Sequence, residues 1–254
     1  MSDPAATARA ARLGAVVGGV RLPFCVMNAS GAATTASELR ALAHSRTGAI
    51  VLPPTTVRPF LHPQFRSLHN PGFDKFLPFV RELARDATRP VVASVVGGTP
   101  DEFGFLARSF ADAGVAAVEA NLADEWVDAT LVPFDEPGLL AEITSRVAAA
   151  SPCWVRIPDH PRMPYVLLVE TLLGAGARAV VAPNAFTGFE KLLVEAPHPI
   201  DVVVAGGIAS AYDVTRALGK GARAVQVEAE LRSEGAAIFA RLERELQRTP
   251  PARH

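Results

Sequence analysis

The chain has 254 residues, a length that suits one α/β barrel and allows a large buried core. Its 25 Lys and Arg against 26 Asp and Glu leave a formal net charge of −1, which gives no electrostatic case for nucleic acid or an anionic membrane surface and makes a small molecule the expected partner. The two cysteines, Cys25 and Cys153, sit in apolar segments and support neither a disulfide framework nor a metal cluster.

Residues 1–20 read as an N-terminal extension. Arg9 and Arg12 are followed by the glycine-rich Gly14 to Gly19 rather than by a long apolar run with a cleavage site, so a cytoplasmic protein is expected. No stretch reaches the roughly 18 apolar residues of a membrane helix. From residue 21 to 247, short β-branched runs alternate with segments of helical period. The predicted strands are Val26 to Gly31, Ala49 to Pro53, Val91 to Gly97, Ala116 to Leu122, Cys153 to Ile157, Ala179 to Pro183, Asp201 to Ala205 and Ala224 to Ala229. The predicted helices are Thr35 to His44, Phe73 to Asp86, Pro100 to Ala113, Glu136 to Ala149, Met163 to Ala175, Phe186 to Glu195, Ala209 to Leu218 and Glu234 to Gln247. Thr99-Pro100-Asp101-Glu102 supplies a cap, an N1 proline and acids at one helix start, while Gly114, Gly176 and Gly221 follow helix ends.

Strands such as Val202-Val203-Val204 are apolar on both faces, as in a parallel sheet covered by helices. Eight such alternations predict the α/β class and a (β/α)8 TIM barrel in a single domain, with residues 248–254 as a frayed tail. A doubly wound open sheet is the rival; Asn28-Ala29-Ser30-Gly31 matches its glycine-rich first turn poorly.

Barrel chemistry belongs at the carboxyl ends of the strands. There the sequence places Glu119 and Asn121 on one face of the fourth strand, Arg156 on the fifth, Asn184 after the sixth, and Gln226 with Glu228 on one face of the eighth. A barrel-interior arginine calls for a carboxylate, and Glu119 or Glu228 is the expected partner; the same residues also read as a purely structural ion-pair network. Gly206-Gly207-Ile208, between the seventh strand and its helix, suits a phosphate held by backbone N–H groups and a helix N-terminus, or a simple tight turn. The lysines are Lys75, Lys191 and Lys220, none on a strand, which excludes a Schiff-base lysine in the barrel wall. The histidines show no metal spacing; His69 and His160 fall in loops as candidate acid or base groups.

Several of these residues occur in an order that resembles the FMN-dependent dihydroorotate dehydrogenases. The resemblance rests on Met27-Asn28-Ala29-Ser30-Gly31, Asn70-Pro71-Gly72-Phe73-Asp74, Glu119-Ala120-Asn121-Leu122, Trp154-Val155-Arg156-Ile157-Pro158, Asn184, Gly206-Gly207-Ile208, Val225-Gln226-Val227 and Glu234-Gly235, and covers roughly Arg21 to Leu246. It implies FMN across the barrel mouth, with Ala29, Ser30 and Gly31 lining the flavin, Asn121 and Asn184 binding flavin or substrate, and Gly206 and Gly207 holding the phosphate. The implied reaction removes a C5 proton from dihydroorotate to a protein base and passes a C6 hydride to the flavin, and the family implies a homodimer, for which Trp126 and Phe134 offer an aromatic patch.

Departures from that pattern touch the chemistry. Leu52-Pro53-Pro54-Thr55 stands where the family has a lysine, Asp124 aligns with the Cys or Ser base, Arg156 replaces the strand-five lysine, and Glu228-Ala229 replaces a small phosphate-binding pair. The expected function is therefore an FMN oxidoreductase of this type, acting on dihydroorotate or on an altered substrate and using Asp124 and Arg156. The alternatives are a catalytically inactive relative that serves as a binding or scaffolding subunit, or a different barrel enzyme working through Glu119, Asp124 and Glu228.

Overall fold

The computed structural model describes residues 13–60, 70–123, 136–158, 161–183, 188–195 and 200–248. It opens with a hairpin of β1 (Ala15–Val17) and β2 (Val20–Leu22). The main sheet follows: β3 (Val26–Asn28), β4 (Ile50–Val51), β5 (Val91–Val95), β6 (Ala117–Asn121), β7 (Cys153–Arg156), β8 (Ala177–Pro183), β9 (Asp201–Ala205) and β10 (Ala224–Val227). Neighbouring strands in this sheet are parallel and stand in chain order, with β10 returning to pair with β3. That order is the barrel and not the doubly wound rival, whose strand order reverses at a switch point.

The helices are α1 (Ala36–Ala43), α2 (Phe73–Asp86), α3 (Pro100–Ala111), α4 (Pro137–Ala148), α5 (Tyr165–Gly174), α6 (Gly188–Glu195), α7 (Ala211–Gly219), α8 (Ala229–Glu234) and α9 (Ala237–Arg248). Thr35 caps α1 in a full capping box with Glu38, and Thr99 caps α3 with Pro100 in its first turn. The predicted helix Glu234 to Gln247 is α9, which starts at Ala237 after a break at Gly235; the short α8 before it was not predicted, and Ala229, read as the end of a strand, begins it. Among the described residues no helix is long and apolar enough to cross a membrane.

Strand alternation sorts the core into two layers. Outward residues such as Val118, Ala120, Val155, Val180, Val202, Val204 and Val225 meet helix residues spaced three and four apart, among them Phe103, Leu106, Phe110, Leu140, Ile143, Val147, Leu168 and Leu172. Inward residues Met27, Val51, Val92, Ala117, Trp154, Ala179, Val203 and Ala224 pack with Val17, Val20 and Leu22 of the hairpin. The hairpin therefore stoppers the amino end of the barrel, pinned where Gly18 N–H donates to Asp201 Oδ2 (2.8 Å) at the start of β9. No local signal announced it: three-residue strands beside glycines fall below what periodicity detects.

The seam between β3 and β4 lacks a regular ladder and is closed by one side chain. Fully buried Asn28 donates through Nδ2 to Val51 O (2.6 Å) and accepts at Oδ1 from Val51 N–H (2.9 Å), so its carboxamide takes the place of a peptide group. Gly48 N–H adds a bond to Val26 O (2.7 Å), and a Cβ at Gly48 would stand 1.8 Å from Phe24 O, so only glycine permits this approach.

Candidate active site

At the carboxyl ends of the strands, the closed seam fixes the chain that follows β3. Ala29 N–H donates to Val227 O (2.8 Å) and Ala32 N–H to Ala29 O (3.1 Å), which turns the chain at Ser30-Gly31. Ala29 is wholly buried within the outer apolar core, whereas Ser30 Oγ is buried with no hydrogen-bond partner. Gly31 is partly exposed and its carbonyl lies 3.5 Å from Arg232 NH2.

Inside the barrel, a polar layer lies above the apolar one. Ser94 pairs in register with Glu119, and Asn121 with Arg156, so alternation turns all four inward. Ser94, Glu119, Asn121 and Gln226 are fully buried. Ser94 Oγ donates to Glu119 Oε1 (3.3 Å), Gln226 Nε2 donates to Glu119 Oε2 (3.1 Å), and Arg156 NH1 reaches Gln226 Oε1 (3.5 Å). Arg156 is half-buried, and its Nε is buried without a partner. Asn121 Oδ1 accepts from Ala123 N–H (3.2 Å), an Asx turn that leads the chain out of β6.

The expected ion pair of Arg156 with Glu119 or Glu228 takes another form. Among the described residues the partner of Arg156 is the Gln226 amide, which links it indirectly to Glu119. Glu228 lies past the end of β10, at the N-cap of α8, and pairs with Arg232 (2.9 Å) at the surface. Period-two alternation placed Glu228 on the inward face with Gln226, but the strand ends at Val227 and the backbone turns, which carries the carboxylate away.

After β9, Gly206 adopts φ +83°, and no described atom lies within 4 Å of where its Cβ would be. Its N–H donates to Gln226 O (3.1 Å). The helix N-terminus that follows does not offer the bare donors the sequence suggested. Asp213 Oδ2 accepts from Ala209 N–H (3.1 Å) and Ser210 N–H (2.9 Å), and Glu245 Oε2 accepts from Ala211 N–H (3.2 Å). An anion at this end would therefore meet the Gly207-Ile208 turn rather than the first turn of α7.

Asp124, Asn184, His69, His160, Trp126 and Phe134 lie outside the described residues. Among the described residues no group of three or more His, Cys, Asp or Glu side chains gathers in a metal-binding arrangement. Sequence reasoning passed over Ser94, Asn28 in its seam role, and Arg232. For Ser94 the signal was present, a lone polar residue on the inward face of Val-Val-Ala-Ser-Val.

No protein-family model matches the chain. It is 29% identical over 196 residues to a putative dihydroorotate dehydrogenase A (fumarate) of Aeropyrum pernix, covering 64% of this chain and 63% of that one. It is 30% identical over 144 residues to the catalytic subunit of dihydroorotate dehydrogenase B (NAD(+)) of Trichlorobacter lovleyi, covering 56% and 47%. A putative dihydroorotate dehydrogenase A (fumarate) of Pediococcus pentosaceus is 27% identical over 270 residues, covering 85% and 87%. The chain thus spans less than two thirds of the first two of these relatives. Dihydroorotate dehydrogenase of Eimeria tenella in complex with ferulenol has the same fold, with a TM-score of 0.80, 13% identity, and coverage of 93% of this chain and 84% of that one. Sequence likeness to dihydroorotate dehydrogenases along most of the chain and a shared eight-stranded barrel support a TIM barrel that resembles the dihydroorotate dehydrogenase family.

Proposed function

We propose that the chain binds FMN across the carboxyl-end mouth of the barrel and works as a flavin oxidoreductase of the dihydroorotate dehydrogenase type on a small-molecule substrate. The observation that carries this reading is that two of the buried polar atoms without partners among the described residues stand at the mouth, Ser30 Oγ in the turn that follows β3 and Arg156 Nε at the end of β7. Leaving such a group unsatisfied costs about 1–3 kcal/mol, so a ligand that hydrogen-bonds there recovers a cost already built into the fold. The open face of Gly206 and the turn at Gly207-Ile208 suit an anionic tail. The names of the relatives support the same chemistry.

In this reading Ser30 and Arg156 hold the polar head of the cofactor, and Gly207 with Ile208 holds its phosphate. The flavin itself supplies the acceptance of a hydride. Arg156 keeps a fixed positive charge beside the head group, which favours a ligand that carries or gains negative charge there. Asp124, next in the chain after Ala123, whose N–H is anchored on Asn121, is the candidate proton acceptor. An aspartate of ordinary pKa near 4 is a weak base for a carbon-bound proton, so this reading favours a substrate with a more acidic C–H than a strong base would need.

One observation favours the inactive alternative, the Glu228 carboxylate close to where a phosphate would rest after β10. Its pairing with Arg232 removes the net negative charge and weakens that objection. The test is titration of protein into FMN followed by flavin fluorescence. Saturable quenching supports the flavin reading; no quenching overturns it in favour of a flavin-free relative.

A further inference from the structure

Ser94, Glu119, Gln226 and Arg156 come from four strands yet form one line of hydrogen bonds across the barrel. We propose that Glu119 and Gln226 are positioning residues, which aim the Arg156 guanidinium at an anionic or carbonyl-bearing planar edge of a ligand in the barrel mouth. The role of the ligand rests on the flavin reading above; the aiming of Arg156 does not.

The argument turns on the polarity of a carboxamide. Gln226 has one donor end and one acceptor end, and its neighbours match them: Glu119 Oε2 accepts and Arg156 NH1 donates. With Nε2 on Glu119 Oε2 and Oε1 toward Arg156 NH1, both ends are matched. A flipped amide would set oxygen against carboxylate and NH2 against guanidinium, so the network permits one orientation. Ser94 Oγ holds the other carboxylate oxygen and keeps Glu119 from swinging. Because Ser94, Glu119 and Gln226 are fully buried, no bulk water competes for these bonds. The relay engages only NH1 of Arg156 and leaves its Nε without a partner, so the guanidinium is oriented but not saturated. A guanidinium held in this way suits a planar edge that accepts two hydrogen bonds.

The experiment uses the full chain, labelled with 15N-arginine. In ligand-free protein the Arg156 Nε–H signal is assigned by its loss in Arg156→Lys, and its exchange with water is compared in wild type, Gln226→Leu and the nearly isosteric Glu119→Gln, which covers the case that Gln226→Leu does not fold. Exchange faster by about tenfold in either variant is expected, with FMN affinity weaker by about tenfold, the loss equivalent to one charge-assisted hydrogen bond. A merely structural role would lower Tm and leave the Arg156 signal where it was. Unchanged exchange in the folded variants overturns the proposal. If wild type fails to bind FMN, the flavin reading falls, while the ligand-free signal still decides whether the relay aims Arg156.

Discussion

Replacing Asn28 by alanine should open the barrel at its seam. The substitution removes the donor on Val51 O (2.6 Å) and the acceptor on Val51 N–H (2.9 Å), and Val51 is fully buried, so neither group finds water. Each orphaned backbone group costs about 1–3 kcal/mol, which makes about 4 kcal/mol for the pair. For a domain of this size that corresponds to a fall in Tm of about 8–16 °C. Asn28→Asp keeps the acceptor, loses the donor and buries a charge, so it should be at least as damaging at neutral pH. It should recover part of its stability in acid, where the protonated carboxyl again donates to Val51 O. The assay is thermal unfolding followed by circular dichroism, with hydrogen exchange at the Val51 amide as the local readout. A fall of less than about 2 °C for Asn28→Ala, with the Val51 amide still protected, would refute the seam argument.

Arg156→Leu should lower stability by about 1–2 kcal/mol, the cost of leaving the buried Gln226 Oε1 unpaired, while FMN affinity falls at least tenfold; a loss of about 3–5 kcal/mol would instead mean that a buried ion pair had been broken. Burial pushes the Cys25 and Cys153 thiols up to about 12, so both should resist a thiol reagent at pH 8 in native protein and react once urea unfolds it; rapid native modification of either would contradict their placement. Backbone N–H groups of Thr35 and Thr34 hold the Glu38 carboxyl below its usual range. A depressed carboxylate stabilises above its unfolded pKa and loses that contribution as pH falls through its folded pKa, so the Tm gap between wild type and Glu38→Gln should be full at pH 7 and shrink below about pH 4. A gap independent of pH would count against the capping box.

The barrel was legible because its signals are local. Apolar runs such as Val202-Val203-Val204 and the cap at Thr99-Pro100 fix elements residue by residue, and β9 matches its predicted bounds. The candidate site was only half legible. Alternation correctly turns Glu119, Asn121 and Gln226 inward, but Glu228 escapes the rule because the strand stops one residue earlier. The choice between Gln226 and a carboxylate as the partner of Arg156 depends on distances between strands far apart in sequence, which periodicity does not encode. The same holds for Asn28, whose role at the seam exists only once β3 and β4 meet, and for Arg232, which finds Glu228 through a short helix that the sequence reading did not assign.

The most direct measurement of the central claim is the visible absorbance spectrum of the protein after incubation with excess FMN and removal of the unbound fraction. The account predicts a retained flavin band that is lost in Arg156→Leu. A colourless wild-type protein would contradict it and leave the barrel as a flavin-free relative.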